Sequence, residues 1–289
     1  MKKDKISLII TGDNRFAEMD TLFASLCNQS IKDISIQVIF VNQGDYAPPL
    51  SQIKDSGIEF IEIKKGRLSL SAARNIGLSV SDGNYVGFPD DDCWYGPGLI
   101  EEIMLYFRSN VGLDVLCVNV FDPYKDQSYG SRPTSGEQRV NYWNVFSLPI
   151  SVGIFIHLNE VTKHDIYFDE KLGAGAEIGS GEETDLISRL LAKKAYISYN
   201  GDIRVYHRVP DISDYSNEKH RAYGVGFGYI SGKMLLSGSY ELAPYVAKIV
   251  FRSAGGVLVN VLNKKARQGY QNRIFGIFQG LIESVRDKL

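Results

Sequence analysis

Three adjacent carboxylates, Asp90, Asp91 and Asp92, are the residues of this chain with the clearest chemical potential. They directly follow residues 85–88, an apolar run that is typical of a short buried strand. Neighbouring carboxylates repel one another, and a hard divalent cation relieves that repulsion. Magnesium typically takes one or two carboxylates together with substrate phosphates, and manganese accepts the same oxygen ligands. The motif therefore predicts a metal and phosphate site; the alternative is a solvated acidic turn that caps the helix after Pro97.

A second acidic group, Glu182, Glu183 and Asp185, opens a predicted helix directly behind Gly179-Ser180-Gly181. Acidic side chains in a first helical turn interact favourably with the helix dipole, by about 0.3–1 kcal/mol each, which is the purely structural explanation. Three acids within four residues exceed what capping needs, and a carboxylate presented to a cleft can act as a general base. Any of the three can take that role on the sequence alone.

Two basic side chains are candidates for contacts with a phosphate or a metal. Arg74 belongs to the predicted helix before the aspartates, where its guanidinium can either pair with phosphate oxygens or form a salt bridge with one of those aspartates. His207 follows a short predicted strand, and its neutral imidazole can complete a metal shell, although a structural role is more frequent for a lone histidine. The chain contains neither a Gly-x-Gly-x-x-Gly motif after its first strand nor a P-loop, which disfavours those two modes of phosphate binding.

The first 120 residues alternate between apolar runs and segments with helical apolar spacing. This alternation predicts an α/β fold, a Rossmann-like and mostly parallel sheet with helices on both faces. Ligands of such sheets bind at the carboxyl ends of the strands, and the polar clusters follow the first, second and fourth strands. The predicted strands are residues 6–11, 34–41, 58–63, 85–88 and 114–120, and the predicted helices are residues 15–27, 69–80 and 99–107.

Beyond residue 120 the alternation ends. Residues 122–141 contain several glycines and prolines and predict a long loop. The next predicted elements are a strand at 151–158, a helix at 182–193, and two short strands at 196–199 and 203–206. The remainder is predicted to be a helical C-terminal extension.

In this order, the motifs resemble those of the family 2 glycosyltransferases with the GT-A fold, bacterial enzymes that build surface polysaccharides. The resemblance covers about residues 5–230 and rests on five ordered segments. They are the opening strand with its polar loop (7–15), the second strand with its polar end (38–45), the helix that carries Arg74 (70–77), the aspartates in place of an Asp-x-Asp motif (90–92), and the acidic helix start (181–186) followed by His207.

The resemblance implies a role for each segment. Asp92 and His207 would hold a Mn²⁺ or Mg²⁺ ion on the diphosphate of a nucleotide sugar. Glu183 would deprotonate the acceptor hydroxyl, whose attack inverts the anomeric carbon, and Glu182 would orient the acceptor. The residues implied to bind the nucleotide sugar, a UDP-sugar, are Thr11, Asp13, Asn14, Arg15, Asn42, Gln43, Arg74, Asp90 and Asp91. Asn42 and Gln43 stand where the family usually has acidic residues.

The same resemblance implies three parts of the chain. Residues 1–120 would be the nucleotide-sugar-binding half, residues 121–217 the acceptor-binding and catalytic half, and residues 218–289 a basic amphipathic extension. The acceptor would be a lipid-linked glycan or an oligosaccharide in capsular or exopolysaccharide assembly.

The formal net charge of −2 is the sum of an acidic body and a basic tail. Residues 219–289 hold 11 basic and 3 acidic side chains. Such asymmetry indicates an anionic partner for the tail. Apolar stripes at residues 245–262 and 274–282 predict amphipathic helices that lie on an anionic membrane, or that pack on the sheet or on a second subunit of a homodimer. Nucleic acid is excluded as a partner because no Lys/Arg cluster is interleaved with stacking aromatics.

Localisation follows from the cysteines and from the hydrophobic runs. Three cysteines, odd in number and far apart, predict neither a disulfide framework nor a zinc site, and favour a reducing compartment. Residues 6–10 are too short for the core of a signal peptide, and Lys248 and Arg252 interrupt the apolar residues 242–262, which argues against a membrane-spanning helix. We therefore expect a cytoplasmic protein, peripheral on the inner face of the plasma membrane.

Two other classes of function use the same residues. A magnesium-dependent phosphate hydrolase or nucleotidyltransferase would bind its metal with the aspartates, but the later Lys and acidic pair of such a hydrolase are not located in this sequence. A catalytically inert carbohydrate-binding scaffold would keep the fold and lose the chemistry, and the three intact carboxylates argue against such a decayed site.

Overall fold

The computed structural model describes residues 4–29, 33–130, 132–159, 161–210 and 215–288. Within these ranges the chain forms a 10-stranded sheet with α-helices on both faces and two short 3₁₀ turns. The strands are β1 (Asp4–Gly12), β2 (Ile34–Asn42), β3 (Glu59–Lys64), β4 (Tyr85–Gly87), β5 (Cys93–Tyr95), β6 (Val115–Asp122), β7 (Gln127–Ser128), β8 (Glu137–Arg139), β9 (Ile154–His157) and β10 (Ile197–His207). The helices are α1 (Phe16–Cys27), α2 (Leu50–Ser56), α3 (Leu70–Ser79), α4 (Leu99–Ser109), α5 (Glu182–Ala192), α6 (Asn217–Leu236), α7 (Ala243–Val259) and α8 (Lys264–Arg286). The 3₁₀ turns are Ser151–Gly153 and Tyr240–Leu242.

The sheet has the strand order β3-β2-β1-β4-β9-β6-β10-β5, with β7 paired to β6 and β8 paired to β10. The pairs β2–β3, β1–β2, β1–β4 and β6–β10 are parallel, whereas β9 runs antiparallel to both of its neighbours, β4 and β6. Because β9 reverses the direction twice, β4 and β6 point the same way. The carboxyl ends of β1, β2, β4, β6 and β10 therefore lie along one edge of the sheet, as the sequence predicts for a ligand site.

Two apolar clusters cover the faces of the sheet and explain its stability. One contains buried side chains of α1 and α4, such as Phe23 and Ile103; the other contains those of α5, α6 and α8, such as Leu190, Ile230 and Ile277. Burial of such side chains is the main favourable term in folding, at roughly 25 cal/mol per Å² of apolar surface. The predicted α/β class with helices on both faces is thus confirmed.

Several short elements differ from the predictions. The two short strands predicted around residue 200 are one strand, β10, because Asn200 accepts N–H bonds from Asp202 (2.8 Å) and Ile203 (3.3 Å) and shapes a bulge where the register to β6 shifts. The strand predicted at 151–158 begins as a 3₁₀ turn and becomes β9. The sequence patterns missed α2 and β5, and residues 122–141 contain the strands β7 and β8 within the predicted loop.

Within the C-terminal extension, α6 and α8 make an unusually close contact. A Cβ atom at Gly228 would overlap the carbonyl oxygen of Ile277, and one at Gly280 would overlap that of Val225. Only glycine lets two helix backbones approach so closely. Ile230 of α6 and Ile277 of α8 also belong to the second apolar cluster, together with sheet residues such as Ile156, so packing on the sheet, one of the predicted alternatives for this tail, describes the inner faces of these two helices.

The outer face of the extension is exposed and apolar. Phe251 is 76% exposed, Leu258 73% and Leu262 100%. The helical residues Tyr240–Val259 are also long and apolar enough to cross a membrane by length and composition, with 17% of that window buried. Lys248 and Arg252 lie within this stretch, and the expectation that they argue against a membrane-spanning helix stays a prediction.

The division of the chain into three parts stays a prediction. The predicted boundary after residue 120 falls inside β6 (Val115–Asp122), in the middle of a continuous sheet. The boundary after residue 217 falls at the first residue of α6, which packs against the second apolar cluster.

Candidate active site

The aspartate motif meets the loop after β1 at the carboxyl edge of the sheet. An isolated bridge between Thr11 and Asp90 extends the β1–β4 pairing by one step, so the two loops leave the sheet side by side. Arg15 pairs with Asp91 (Nη1 to Oδ1, 3.2 Å) and with Asp92. Burial and the charge of Asp92 raise the pKa of Asp91 to about 6 even though Arg15 opposes the shift, so mutual repulsion in this motif is real.

His207 lies against the same motif from the other side. It is the last residue of β10 and pairs in register with Cys93 of β5, the short strand directly after the aspartates. Its Nε2 lies 3.0 Å from Asp92 Oδ1. Burial opposes the charged forms of both groups, but their contact prevails: the pKa of Asp92 is lowered and that of His207 is raised.

Asp92 and His207 form a suitable donor set for a cation that takes most of its ligands from a substrate. One carboxylate oxygen and one imidazole nitrogen are adjacent, and manganese accepts both kinds of ligand. Among the described residues no group of three or more His, Cys, Asp or Glu side chains is arranged to hold a metal by itself. Diphosphate oxygens and waters would have to supply the remaining ligands, which is the usual arrangement at nucleotide sites.

Arg74 is buried between the two acidic groups. Its side chain is 1% exposed, its Nη2 lies 2.6 Å from Asp90 Oδ1, and its Nη1 lies 3.2 Å from Glu182 Oε1. The contacts of Arg74 therefore match the salt-bridge alternative, although it pairs with two carboxylates instead of one. A direct contact with a nucleotide sugar stays a prediction, and the geometry favours a positioning role, since the guanidinium ties the aspartate motif to the start of α5.

The three acids at the start of α5 have different surroundings. Glu182 is held by Arg74, and Asp185 is held by Arg189 (2.9 Å) and Lys233 (2.7 Å). Glu183 has no ion-pair partner among the described residues, and it faces an open cavity. Burial and the charge of Glu182 raise the pKa of Glu183 to about 8. Glu183 thus lines the cavity without an ion-pair partner among the described residues, and its raised pKa suits a general base near neutral pH.

The cavity in front of Glu183 has a volume of about 450 Å³. Asp90 and His207 line it on the metal side, and aromatic side chains line it elsewhere, including Tyr129, Phe146, Tyr215, Tyr223, Phe227 and Tyr245. Aromatic walls around a few polar groups are typical of sites for small organic molecules. The cavity therefore places an apolar surface next to a base and a candidate metal site.

The residues predicted around the nucleotide are mostly engaged with the protein itself. Asn14, at φ 60°, accepts an N–H bond from Asp45 (2.8 Å) and so ties the loop after β1 to the loop after β2. Asn42 is 2% exposed and donates to the carbonyl of Tyr46 and to a carboxylate oxygen of Glu62.

Two of the remaining predicted side chains lie at the rim of the same loops. Gln43 Oε1 accepts from the backbone N–H of Leu68 (2.6 Å). Asp13 Oδ2 lies 3.8 Å from Arg67 Nε, and both of these side chains are largely exposed. A direct contact of Asp13, Asn14, Asn42 or Gln43 with a nucleotide stays a prediction.

Sequence reasoning missed two cations of the cavity, Arg132 and Arg273. Arg132 lies in the segment predicted as a loop, where it donates to the carbonyls of Leu148 (3.0 Å) and Pro149 (3.3 Å); burial lowers its pKa and Glu183 opposes that shift. Arg273 comes from α8. The only available signal for Arg273 was the basic character of the tail, and nothing in the sequence pattern singles out Arg132.

Comparison with known sequences identifies the family. The model of glycosyl transferase family 2 matches residues 7–165, which is more than half of the chain. The chain belongs to this family. The match contains the loop after β1, the helix α3 with Arg74 and the aspartate motif, in the order on which the resemblance rested.

Curated relatives match only part of their length. The minor teichoic acid biosynthesis protein GgaB of Bacillus subtilis is 24% identical over 204 residues, which are 64% of this chain and 21% of GgaB. The poly(ribitol-phosphate) beta-N-acetylglucosaminyltransferase TarP of Staphylococcus aureus is 27% identical over 110 residues, 37% of this chain and 34% of TarP. The chain thus spans about a third or less of the curated relatives it matches.

Solved structures share the fold over almost the whole chain. The mannosyltransferase PcManGT of Pyrobaculum calidifontis, in complex with GDP-Man and Mn²⁺, superposes with a TM-score of 0.60 at 11% identity, covering 98% of this chain and 88% of PcManGT. S. aureus TarS 1–349, in complex with UDP, gives a TM-score of 0.55 at 15% identity, covering 99% of this chain and 92% of that fragment. These similarities establish the GT-A fold.

Proposed function

We propose that this protein is an inverting, metal-dependent glycosyltransferase of bacterial surface-polysaccharide synthesis. It transfers a sugar from a nucleotide sugar, with UDP as the expected nucleotide, to a hydroxyl group of a glycan acceptor. The family supports the reaction class, the names of GgaB and TarP support the cell-surface context, and the complexes of TarS with UDP and of PcManGT with GDP-Man support a nucleotide-sugar donor.

The observation that carries this proposal is the unpaired state of Glu183. Its two acidic neighbours are engaged by cations, Glu182 by the buried Arg74 and Asp185 by Arg189 and Lys233, while its own carboxylate lines the cavity without an ion-pair partner among the described residues. A carboxylate that served only to complement the helix dipole would have no need of such a cavity. Glu183 therefore takes the proton of the acceptor hydroxyl as that oxygen attacks the anomeric carbon.

The donor diphosphate belongs at the other side of the cavity. Asp92 and His207 would hold the divalent cation, which when bound supplies Lewis-acid stabilisation of the leaving diphosphate. Arg15 positions Asp92, and Arg74 holds Asp90 and Glu182 in a fixed relation. The acceptor then lies between Glu183 and the aromatic wall, on the face of the sugar opposite the leaving group, and this arrangement inverts the anomeric configuration.

Family membership favours a transferase over a phosphate hydrolase, a nucleotidyltransferase or an inert scaffold. For location, we propose the cytoplasmic face of the plasma membrane with peripheral attachment. The exposed apolar face of α7 and the basic character of the tail support that attachment.

The test is an assay with a panel of nucleotide sugars, Mn²⁺ and glycan acceptors, with product analysis by mass spectrometry. Glu183→Gln should lower kcat by about 10²–10⁴-fold, the usual effect of losing a general base. In the unmodified protein, kcat/KM should rise with pH through about 8, because only the ionised form of Glu183 accepts a proton. Glu183→Gln should lose that pH dependence.

Glu177→Gln is the matched control, since Glu177 is exposed and lies outside the cavity. It should leave both kcat and the pH profile unchanged. Full activity of Glu183→Gln would contradict the assignment of the base, and free phosphate or pyrophosphate as the product would contradict the reaction class.

A further inference from the structure

A second cavity, the basic cavity, lies between α6, α7 and α8. Its volume is about 390 Å³. His220 of α6, Arg252 of α7, and Lys265 and Arg273 of α8 line it, and no Asp or Glu is among the described residues around it. Three permanently charged cations thus converge on one cavity from two helices.

The cations of the basic cavity are unpaired. Arg252, Lys265 and Arg273 form no ion pair or hydrogen bond among the residues that the structure describes, and all three side chains are exposed. Elsewhere in the C-terminal part, Lys233 pairs with Asp185, and Asp287 pairs with Lys171.

Repulsion within the cluster acts on Arg273. Crowding by neighbouring residues and the charge of Arg252 both lower the pKa of Arg273. Like charges that the protein keeps together without a counter-charge are destabilising, and a bound anion relieves the repulsion. A phosphate group suits three converging donors better than a carboxylate, because it offers more oxygens to the forks of two arginines and to the point charge of a lysine.

The basic cavity adjoins the cavity in front of Glu183. Tyr215, Ile249 and Arg273 line both. The ring of Tyr215 contacts His220, and its hydroxyl lies 3.5 Å from that of Tyr129 in the first cavity. None of the residues proposed to hold the donor lines the basic cavity. An anion in it would therefore lie beside the acceptor and away from the donor diphosphate.

We propose that the basic cavity binds a phosphate group carried by the acceptor, and so selects acceptors in which a phosphate lies next to the reacting sugar. This inference rests on the proposed function. The phosphate belongs either to a lipid diphosphate that carries the glycan or to a phosphodiester of a polyol-phosphate polymer. Arg252 and Arg273 bind its oxygens, and Lys265 adds charge at the mouth of the cavity.

The first test measures binding without catalysis. The full chain is saturated with UDP and Mn²⁺ to fill the donor site and is then titrated by calorimetry with glycerol 3-phosphate, with a short-chain alkyl diphosphate, and with acetate. Both phosphate probes should bind, and acetate should not. Preference for the alkyl diphosphate would identify the lipid source, and preference for glycerol 3-phosphate the polymer source. Equal binding of acetate, or no binding of either phosphate probe, would overturn the proposal.

The second test uses variants of the cavity. Arg252→Gln and Arg273→Gln should each weaken phosphate binding by at least about tenfold, the scale of a charged hydrogen bond. Lys248→Gln removes the same charge from the exposed surface of α7 outside the cavity and should bind like the unmodified protein. An equal loss in Lys248→Gln would mean non-specific attraction and would overturn the proposal.

Two donor activities, UDP binding and slow hydrolysis of the donor, distinguish a failure of the basic-cavity proposal from a failure of the proposed function. If Arg252→Gln and the unmodified protein share these donor activities but phosphate does not bind to the unmodified protein, the basic cavity is wrongly assigned and the proposed transferase stands. If the unmodified protein neither binds UDP nor cleaves a donor, the proposed function itself fails.

Discussion

Arg74 shows how much of this site depends on one buried side chain. Its side chain is 1% exposed and its guanidinium contacts two carboxylates, Asp90 after β4 and Glu182 at the start of α5. Buried charges are stable only when they are paired, so the removal of the cation leaves two carboxylates in a poorly solvated place. The two acidic motifs that the sequence displays 90 residues apart are, through Arg74, one electrostatic unit.

Arg74→Met is therefore predicted to destabilise the protein by about 3–5 kcal/mol, the range for a broken buried ion pair. The control is Arg108→Met, because Arg108 forms a more exposed pair with Asp4, and such pairs contribute about 0–1 kcal/mol. Urea unfolding monitored by circular dichroism measures both. Similar losses in the free energy of unfolding for the two variants would show that the buried Arg74 network is no more stabilising than the more exposed pair of Arg108. Arg74→Lys should recover part of the loss, since an ammonium keeps the charge but not the fork that reaches both carboxylates.

At the residue scale, the sequence predicted which side chains meet but not how each is used. The family resemblance implied that Asp92 and His207 lie together, and the two side chains are 3.0 Å apart. Asn42 could not be assigned in the same way, because its engagement with Tyr46 and Glu62 depends on the conformations of two loops. Arg273 reaches the cavity only through the packing of α8, which no local pattern encodes.

At the scale of elements, the contact between α6 and α8 decides whether the site has its C-terminal wall. Arg273 lines the first cavity from α8, and Tyr223 and Phe227 line it from α6. The positions of these side chains follow from glycines that bring the two helix backbones together. Glycine weakens an isolated helix by up to about 1 kcal/mol, so these positions trade helix propensity for close packing.

Gly228→Ala is predicted to destabilise the protein, by about 1–3 kcal/mol or more, because its methyl group would overlap the carbonyl oxygen of Ile277. Gly255→Ala in α7 should act in the opposite direction and stabilise by up to about 1 kcal/mol, since nothing lies within 4 Å of its added Cβ and alanine is the better helix former. Thermal unfolding of the two variants gives the comparison. Stabilisation by both would mean that α6 and α8 do not pack as closely as described.

The long elements were predicted from the sequence, whereas four short ones, α2, β5, β7 and β8, were not, for a physical reason. The strands β1 and β2 are almost continuously buried, so their residues form apolar runs that stand out from their surroundings. The strand β5 has three residues and follows the aspartates in a segment rich in turn formers. Its place in the sheet comes from pairing with β10, more than a hundred residues later, and such non-local pairing leaves no local pattern.

At the scale of the whole molecule, charge and apolar surface are distributed unevenly. Net negative charge lies in the body with the carboxylates of the site, and net positive charge lies in residues 219–289. The same C-terminal part exposes large apolar side chains, Phe251, Leu258 and Leu262 among them. Exposed apolar side chains accompanied by cations are typical of surfaces that lie in the interface of an anionic membrane. An enzyme bound to the membrane would encounter a lipid-linked acceptor by diffusion in the plane of the bilayer, because its site would stay at the membrane surface.

Replacement of both Phe251 and Leu262 by Glu is predicted to weaken binding to vesicles that contain phosphatidylglycerol by about 100-fold or more. Burial of each side chain contributes roughly 1.5–3 kcal/mol, and the new carboxylates add repulsion from anionic lipid. Val111→Glu is the control, because Val111 is 93% exposed and lies after α4, far along the chain from the tail. Cosedimentation with vesicles measures the binding, and raised salt should weaken the binding of the unmodified protein, since part of the attraction is electrostatic.

Unchanged cosedimentation of the double variant would contradict the membrane assignment. If the same variant instead converted a dimer to a monomer in light scattering, the exposed face of α7 would be a contact with a second copy of the chain, and the basic charge beside it would then serve the acceptor alone.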